Sequence, residues 1–316
     1  MEENFTWWSI TETSAEFWEP LMLQMIFLIP SFFGTFILVL FLLAHVANLE
    51  KYMVTIIYPA VVCFLCCIPV TGFYTYIFVS FLLGRPPKWR VLICSFFRHL
   101  EAICFTVVML TPTVVAMLRC ATIHTRLHIR PRHTIFFYSI CSPIIVAEVY
   151  ILLTGPIQGD STVCGHSIYV SNVPWITIFF FMYRFIGAFA GLLLNVYMTV
   201  KLHKQARERA NSDTSLWTVN EMKLAQSMFW QSVIPMALSC IFIIEAVLKQ
   251  IFGFNALYSR IAHTLPYLVY FLTAFLPAVF LKRIRNAMIP QALQARLSNC
   301  KTSNTFLASR FKTLVP

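Results

Sequence analysis

Four ionisable residues, Glu101, Glu148, Arg184 and Glu245, fall inside long apolar stretches of this chain. A charge held in hydrocarbon is costly unless paired or wetted, so each is a candidate for a ligand contact, an ion pathway or an internal pair. Two pairs are available by spacing: Arg98 and Glu101 lie one helical turn apart, and Glu148 and Arg184 lie on consecutive apolar segments. Arg184 follows Phe179, Phe180, Phe181, Met182 and Tyr183, while His263, Tyr267 and Tyr270 recur at i, i+4 and i+7. Apolar and aromatic walls with a few polar groups are the usual lining of a small-molecule site. The expected ligand contacts are Arg98, Glu101, Phe105, Arg184, His263 and Tyr267. For Glu101 a ligand contact and an internal pair stay equally open. For Glu148 and Glu245 internal neutralisation is the favoured reading, and a histidine at position 263 is more often a packing residue than a contact.

The elements that must position these groups follow from composition. Of 316 residues, 59% are hydrophobic and only 12% charged, with a mean hydropathy of +0.73. Soluble domains carry roughly 25% charged residues, so a soluble enzyme, a disordered chain, a coiled coil and a disulfide-stapled mini-protein are excluded. Spanning a hydrocarbon core takes roughly 20 apolar residues in a helix. Seven runs qualify, at about 21–44, 53–82, 91–122, 134–153, 175–202, 221–248 and 258–281. The expected fold is an all-α membrane protein: a seven-transmembrane helix bundle over residues 21–281, with an extracellular amino-terminal segment 1–20 and a cytoplasmic tail 282–316. Putting the amino terminus outside leaves 17 of the 24 Lys and Arg inside, which satisfies the positive-inside rule. That rule also accounts for the net charge of +11 without nucleic acid as a partner. The head holds Glu2, Glu3, Glu12, Glu16 and Glu19 and no basic residue, so the first run is expected to act as an uncleaved anchor. Asn4-Phe5-Thr6 is a glycosylation sequon on the side expected to be outside.

The third run serves as a ruler. Cys94 and Arg119 are 25 residues apart, about 37 Å along a helix, which places them at opposite membrane surfaces. Cys94, Arg98, Glu101, Phe105, Val108, Pro112 and Val115 all fall within roughly 60° of Arg119 around the helix. A stripe charged at both ends is costly against lipid, so this helix belongs at the centre with the stripe facing its neighbours. Cys164, in the loop after the fourth run, is the expected disulfide partner of Cys94 on the oxidising side; two free thiols are the alternative. The other cysteines read as packing residues, Cys300 as a weak palmitoylation candidate, and no metal site or cofactor is expected.

Seven spans, a Cys at the head of the third with an Arg 25 residues later, and a second Cys in the following outer loop resemble the rhodopsin-like G protein-coupled receptors. Pro235 in Ser232-Val233-Ile234-Pro235 agrees with this, as does Leu276-Pro277-Ala278-Val279-Phe280 before Lys282-Arg283-Ile284-Arg285, which looks like a diverged Asn-Pro-x-x-Tyr motif leading into a short amphipathic eighth helix. Departures are equally plain. Leu118-Arg119-Cys120 stands where the family has Asp-Arg-Tyr, the second span lacks the sodium-site Asp, Val233 replaces an aromatic, and Leu276 replaces Asn. This pattern, on a chain rich in Phe and Cys, is most similar to the nematode serpentine chemoreceptors. The resemblance covers residues 21 to about 290. It implies a small-molecule ligand in the outer half of the bundle, with Glu101 where many of these receptors hold an acidic contact. It also implies coupling to a heterotrimeric G protein through Arg119, Arg126 and Arg130, and residence in the plasma membrane, including that of sensory cilia.

A carrier or channel is the competing expectation, against which Val108, Pro112 and Val115 would block ions in the inner half of the stripe. An enzyme is not expected, since no His-Glu-x-x-His, Gly-x-Ser-x-Gly or phosphate-binding loop is present.

Overall fold

The computed structural model describes residues 8–44, 56–125, 131–155, 157–160, 165–168, 174–208, 225–238, 240–241, 244 and 267–280. In hydrocarbon every backbone N–H and C=O must be satisfied within its own segment, so apolar runs of this length become helices. The first three are α1 (Trp18–Ala44), α2 (Tyr58–Leu82) and α3 (Val91–Thr125). The fourth run is α4 (Pro131–Tyr138), one 3-10 turn at Ser139–Cys141, and α5 (Ser142–Thr154), which together give one continuous stretch. The fifth is α6 (Pro174–Glu208). Five segments are long and apolar enough to cross a membrane: Trp18–Ala44, Tyr58–Leu82, Val91–Ala121, His133–Thr154 and Met182–Lys204. Described parts of the last two runs are also helical, α7 over 225–238 and α8 over Tyr267–Phe280. The protein is an all-α membrane protein.

The third helix occupies the centre. It packs against α2, α4, α5, α6 and α8, while α1 lies against α2 and α8. In its most apolar window 61% of α3 is buried, against 22–33% for the other four candidate spans. Residues 108–116 are buried all round, as only a helix walled on every side can be. The outer helices do the reverse. Ile26, Phe33, Ile37 and Leu40 of α1, and Ile186, Leu193 and Val200 of α6, are exposed apolar side chains, the surface that lipid covers.

Two glycines set the α3–α6 distance. A Cβ at Gly191 would come within 3.0 Å of Thr113 Cα and closer still to its hydroxyl, and a Cβ at Gly187 would run into the Leu110 side chain. Thr113 Oγ1 uses the resulting proximity to donate to the Gly187 carbonyl at 2.8 Å. Small residues four apart let helix backbones approach closely in a membrane, where packing drives association.

The Cys94 end of the bundle carries two short two-stranded antiparallel sheets. β1 (Ile10–Glu12) pairs antiparallel with β2 (Lys88–Arg90), Thr11 opposite Trp89, with Lys88 Nζ 3.4 Å from Glu12 Oε2 and the Arg90 guanidinium over the Trp8 ring. β3 (Ile157–Asp160) pairs with β4 (Gly165–Ile168), and β4 packs on α3 and β1. The segment before α1 is therefore tied to the α2–α3 loop by main-chain bonds, including Val91 N–H to the Ser9 carbonyl at 3.0 Å.

Candidate functional site

The stripe expected on α3 faces inward along its length. Cys94, Val108, Val115 and Arg119 are buried, and Glu101 is largely so. At Glu101 three helices meet on one carboxylate. Tyr267 of α8 donates its hydroxyl to Oε1 at 2.5 Å, and Oε2 accepts from the Tyr74 hydroxyl of α2 at 2.8 Å and from Arg98 Nη1 at 2.9 Å. The same Arg98 nitrogen also donates to Tyr74 Oη at 3.0 Å. A carboxylate can accept on both oxygens, and here both are taken. Internal pairing, left open by the spacing of Arg98 and Glu101, is present, and two tyrosines join it.

The second carboxylate is held differently from the pairing that adjacency of the fourth and fifth runs suggested. Glu148 on α5 is buried and its Oε2 lies 2.7 Å from Nδ1 of His99, a buried residue of α3; no ion pair joins it to Arg184. Arg184 projects from α6 onto α3 instead. Its Nε donates to Thr106 Oγ1 at 2.8 Å and its Nη2 to the Ala102 carbonyl at 3.3 Å, and the guanidinium lies over the rings of Phe105 (5.4 Å) and Phe180 (5.9 Å). Helical spacing explains this: 99, 102 and 106 share one face of α3, and that face receives α5 and α6 together.

Two buried polar atoms in this region have no hydrogen-bond partner, Nε2 of His99 and the hydroxyl of Tyr270 on α8. Of the expected ligand contacts, Arg98, Glu101, Phe105, Arg184 and Tyr267 thus converge on the same half of α3, and His263 lies outside the described residues.

At the Cys94 end, Cys94 is fully buried and disulfide-bonded; Cys164 lies outside the described residues, as does Asn4. At the other end Arg119 is also buried, with Nη1 3.0 Å from the Met228 sulfur of α7. Leu118 beside it is fully buried. Asn195 of α6 adds a second tie to α7, its Nδ2 donating to Ser232 Oγ at 2.6 Å and to the Met228 carbonyl at 3.3 Å. Arg126 and Arg130 lie outside the described residues.

A cavity was expected in the half of the bundle nearer Cys94. The described residues instead form an open groove at the Arg119 end, about 490 Å³, lined by Met117, Cys120, Ala121, Phe137, Leu194 and Tyr197. Its walls are almost wholly apolar, so it fits hydrocarbon better than a polar ligand. Among the described residues no group of three His, Cys, Asp or Glu side chains is placed to hold a metal ion.

Several site residues escaped the sequence reading. Tyr74, His99 and Asn195 each carried a signal, a polar group inside an apolar run, as in Leu192-Leu193-Leu194-Asn195. The close seam was visible as Gly187-Ala188-Phe189-Ala190-Gly191, two glycines at the spacing that brings membrane helices together. Met228 had no such mark. In comparisons with protein-family models and with curated proteins, no family model and no curated protein matches the chain.

Proposed function

We propose that this protein is a G protein-coupled receptor with seven membrane-spanning helices, its amino terminus outside and a short amphipathic eighth helix after the bundle. In this reading Cys94 bonds Cys164 across the outer mouth and Asn4 carries a glycan. A small molecule binds in the outer half, and the membrane is the plasma membrane of a sensory cell, its cilia included. One observation carries the reading: the central helix holds a disulfide-bonded cysteine at one end and, 25 residues on, an arginine buried against α7.

That arrangement suits a two-state element. A thioether is a weak acceptor, so the tie between Arg119 and Met228 is readily exchanged for a better one. Asn195 reinforces it through Ser232, one turn from Pro235. A helix hinged at proline can swing one half while the other stays packed. Outward movement of the Met228 end uncovers Arg119 for the carboxyl-terminal helix of a G protein, flanked by Arg126 and Arg130. Ligand drives this only through a higher affinity for the open state, since equal binding to both shifts nothing. The carrier or channel alternative is disfavoured by the all-round burial of residues 108–116, beside which the described residues show no wet path.

The test is nucleotide exchange on purified heterotrimeric G proteins by the receptor in nanodiscs, across a panel of small organic ligands. Ligand-dependent exchange is expected, and Arg119→Ala should abolish it at equal surface expression. Ion current without ligand, or exchange indifferent to Arg119, would overturn the proposal.

A further inference from the structure

The carboxylate that family likeness nominates for ligand recognition is already engaged on both oxygens, while a cation nearby has no carboxylate paired with it among the described residues. Glu101 accepts from Tyr74, Tyr267 and Arg98 on its two oxygens. A cationic ligand would compete with these donors for it. Arg184 is in the opposite position. A guanidinium stays charged under all ordinary conditions and presents five N–H donors. Two of them reach neutral acceptors, Thr106 Oγ1 and the Ala102 carbonyl, and among the described residues no carboxylate forms an ion pair with it. Glu148 accepts its hydrogen bond from His99. The hydroxyl of Tyr270, on a fully buried side chain of α8, which also packs on α3, has no partner. Phe105 and Phe180 flank the charge with aromatic faces.

We infer that the ligand of this site is a small organic acid, its carboxylate held by the free N–H groups of Arg184 with the Tyr270 hydroxyl as a second donor, and its apolar body against Phe105 and Phe180. A planar guanidinium matches a carboxylate two bonds at a time, the strongest pairing such a group offers. This deepens the receptor proposal and rests on it for the consequence of binding, but not for binding itself.

The experiment uses the full chain in nanodiscs of phosphatidylcholine, so that no anionic lipid competes. Octanoate, phenylacetate and cyclohexanecarboxylate are titrated, with 1-octanol and octylamine as controls, and thermal stabilisation gives the apparent Kd. At least one acid should bind saturably, and the alcohol and amine should not. A hydrogen bond to a charged group corresponds to a factor of roughly 10 to 100 in affinity, so Arg184→Gln should weaken the acid by at least that. Tyr270→Phe, which keeps the ring and its packing, should weaken it about tenfold, and serves where Arg184→Gln fails to fold. Equal acid affinity in Tyr270→Phe and wild type, no saturable binding by any acid, or preferential binding of the amine would each overturn the inference. Failure of the receptor reading looks different: acid binding that depends on Arg184 but produces no nucleotide exchange leaves this site standing and removes coupling, whereas exchange driven by amines alone retains the receptor and removes the acid.

Discussion

Replacing Glu101 by Gln separates an engaged carboxylate from one waiting for a ligand, because the two predict opposite signs of stability change in the empty protein. If the carboxylate were buried and unengaged, neutralising it would relieve a desolvated charge and the protein would gain stability. As found, Glu101 accepts from two tyrosine hydroxyls and one guanidinium belonging to α2, α8 and its own helix. Hydrogen bonds between membrane helices average about 0.6 kcal/mol and reach about 1.7; a charged acceptor moves such bonds toward roughly 1.5–3 kcal/mol. The Arg98 pair counts for less, about 0–1 kcal/mol, since the Arg98 side chain is 30% exposed and water competes for it. A Gln amide keeps one acceptor oxygen, its NH2 can engage a tyrosine hydroxyl only by reversing that bond and is set against Arg98 if turned the other way, and every bond that survives loses its charged acceptor. The expected net loss is roughly 2–3 kcal/mol, read as a fall of several degrees in the apparent melting temperature of the purified protein without ligand. Tyr267→Phe should cost about 1–2 kcal/mol alone, and the double variant should fall short of the sum of the singles because the two share one bond. An unchanged or raised melting temperature for Glu101→Gln, or strict additivity with Tyr267→Phe, would refute the three-helix tie.

Three further perturbations follow from the same packing. Gly191→Val must push α6 off Thr113 and should cost about 1–3 kcal/mol, whereas Gly72→Ala, where an added Cβ meets nothing within 4 Å, should be neutral or stabilising by up to about 1 kcal/mol; thermal unfolding of both against wild type checks the contrast. His99→Leu leaves Glu148 buried without its partner, and breaking a buried pair from one side costs about 3–5 kcal/mol; stability restored by adding Glu148→Gln would mark the loss as electrostatic, and no restoration would assign it to packing. Met228→Ala removes the sulfur contact of Arg119 and should raise ligand-independent nucleotide exchange, while Met228→Leu, similar in volume but without sulfur, should raise it by nearly as much; a rise in the first only would mean that volume, not the contact, holds α7.

Local chemistry decided much of this protein before any tertiary contact. Hydrocarbon allows helices of a given length and little else, so the positions of α1 to α6 and the described parts of α7 and α8 follow the apolar runs to within a few residues. The rise and rotation of one helix also sufficed to place Cys94 and Arg119 at opposite ends of α3 and to align its inward stripe, because both quantities accumulate along a single rigid element. Partner choice does not accumulate that way. Whether Glu148 meets His99 or Arg184, and whether Glu101 stands free or receives Tyr74 and Tyr267, depends on the rotation and axial offset of separate helices, and each turn presents several polar groups within reach. Those offsets come from packing: two glycines bring α6 onto α3 at Leu110 and Thr113, and that approach carries Arg184 down to Ala102 and Thr106, with Glu148 left to the histidine one turn away.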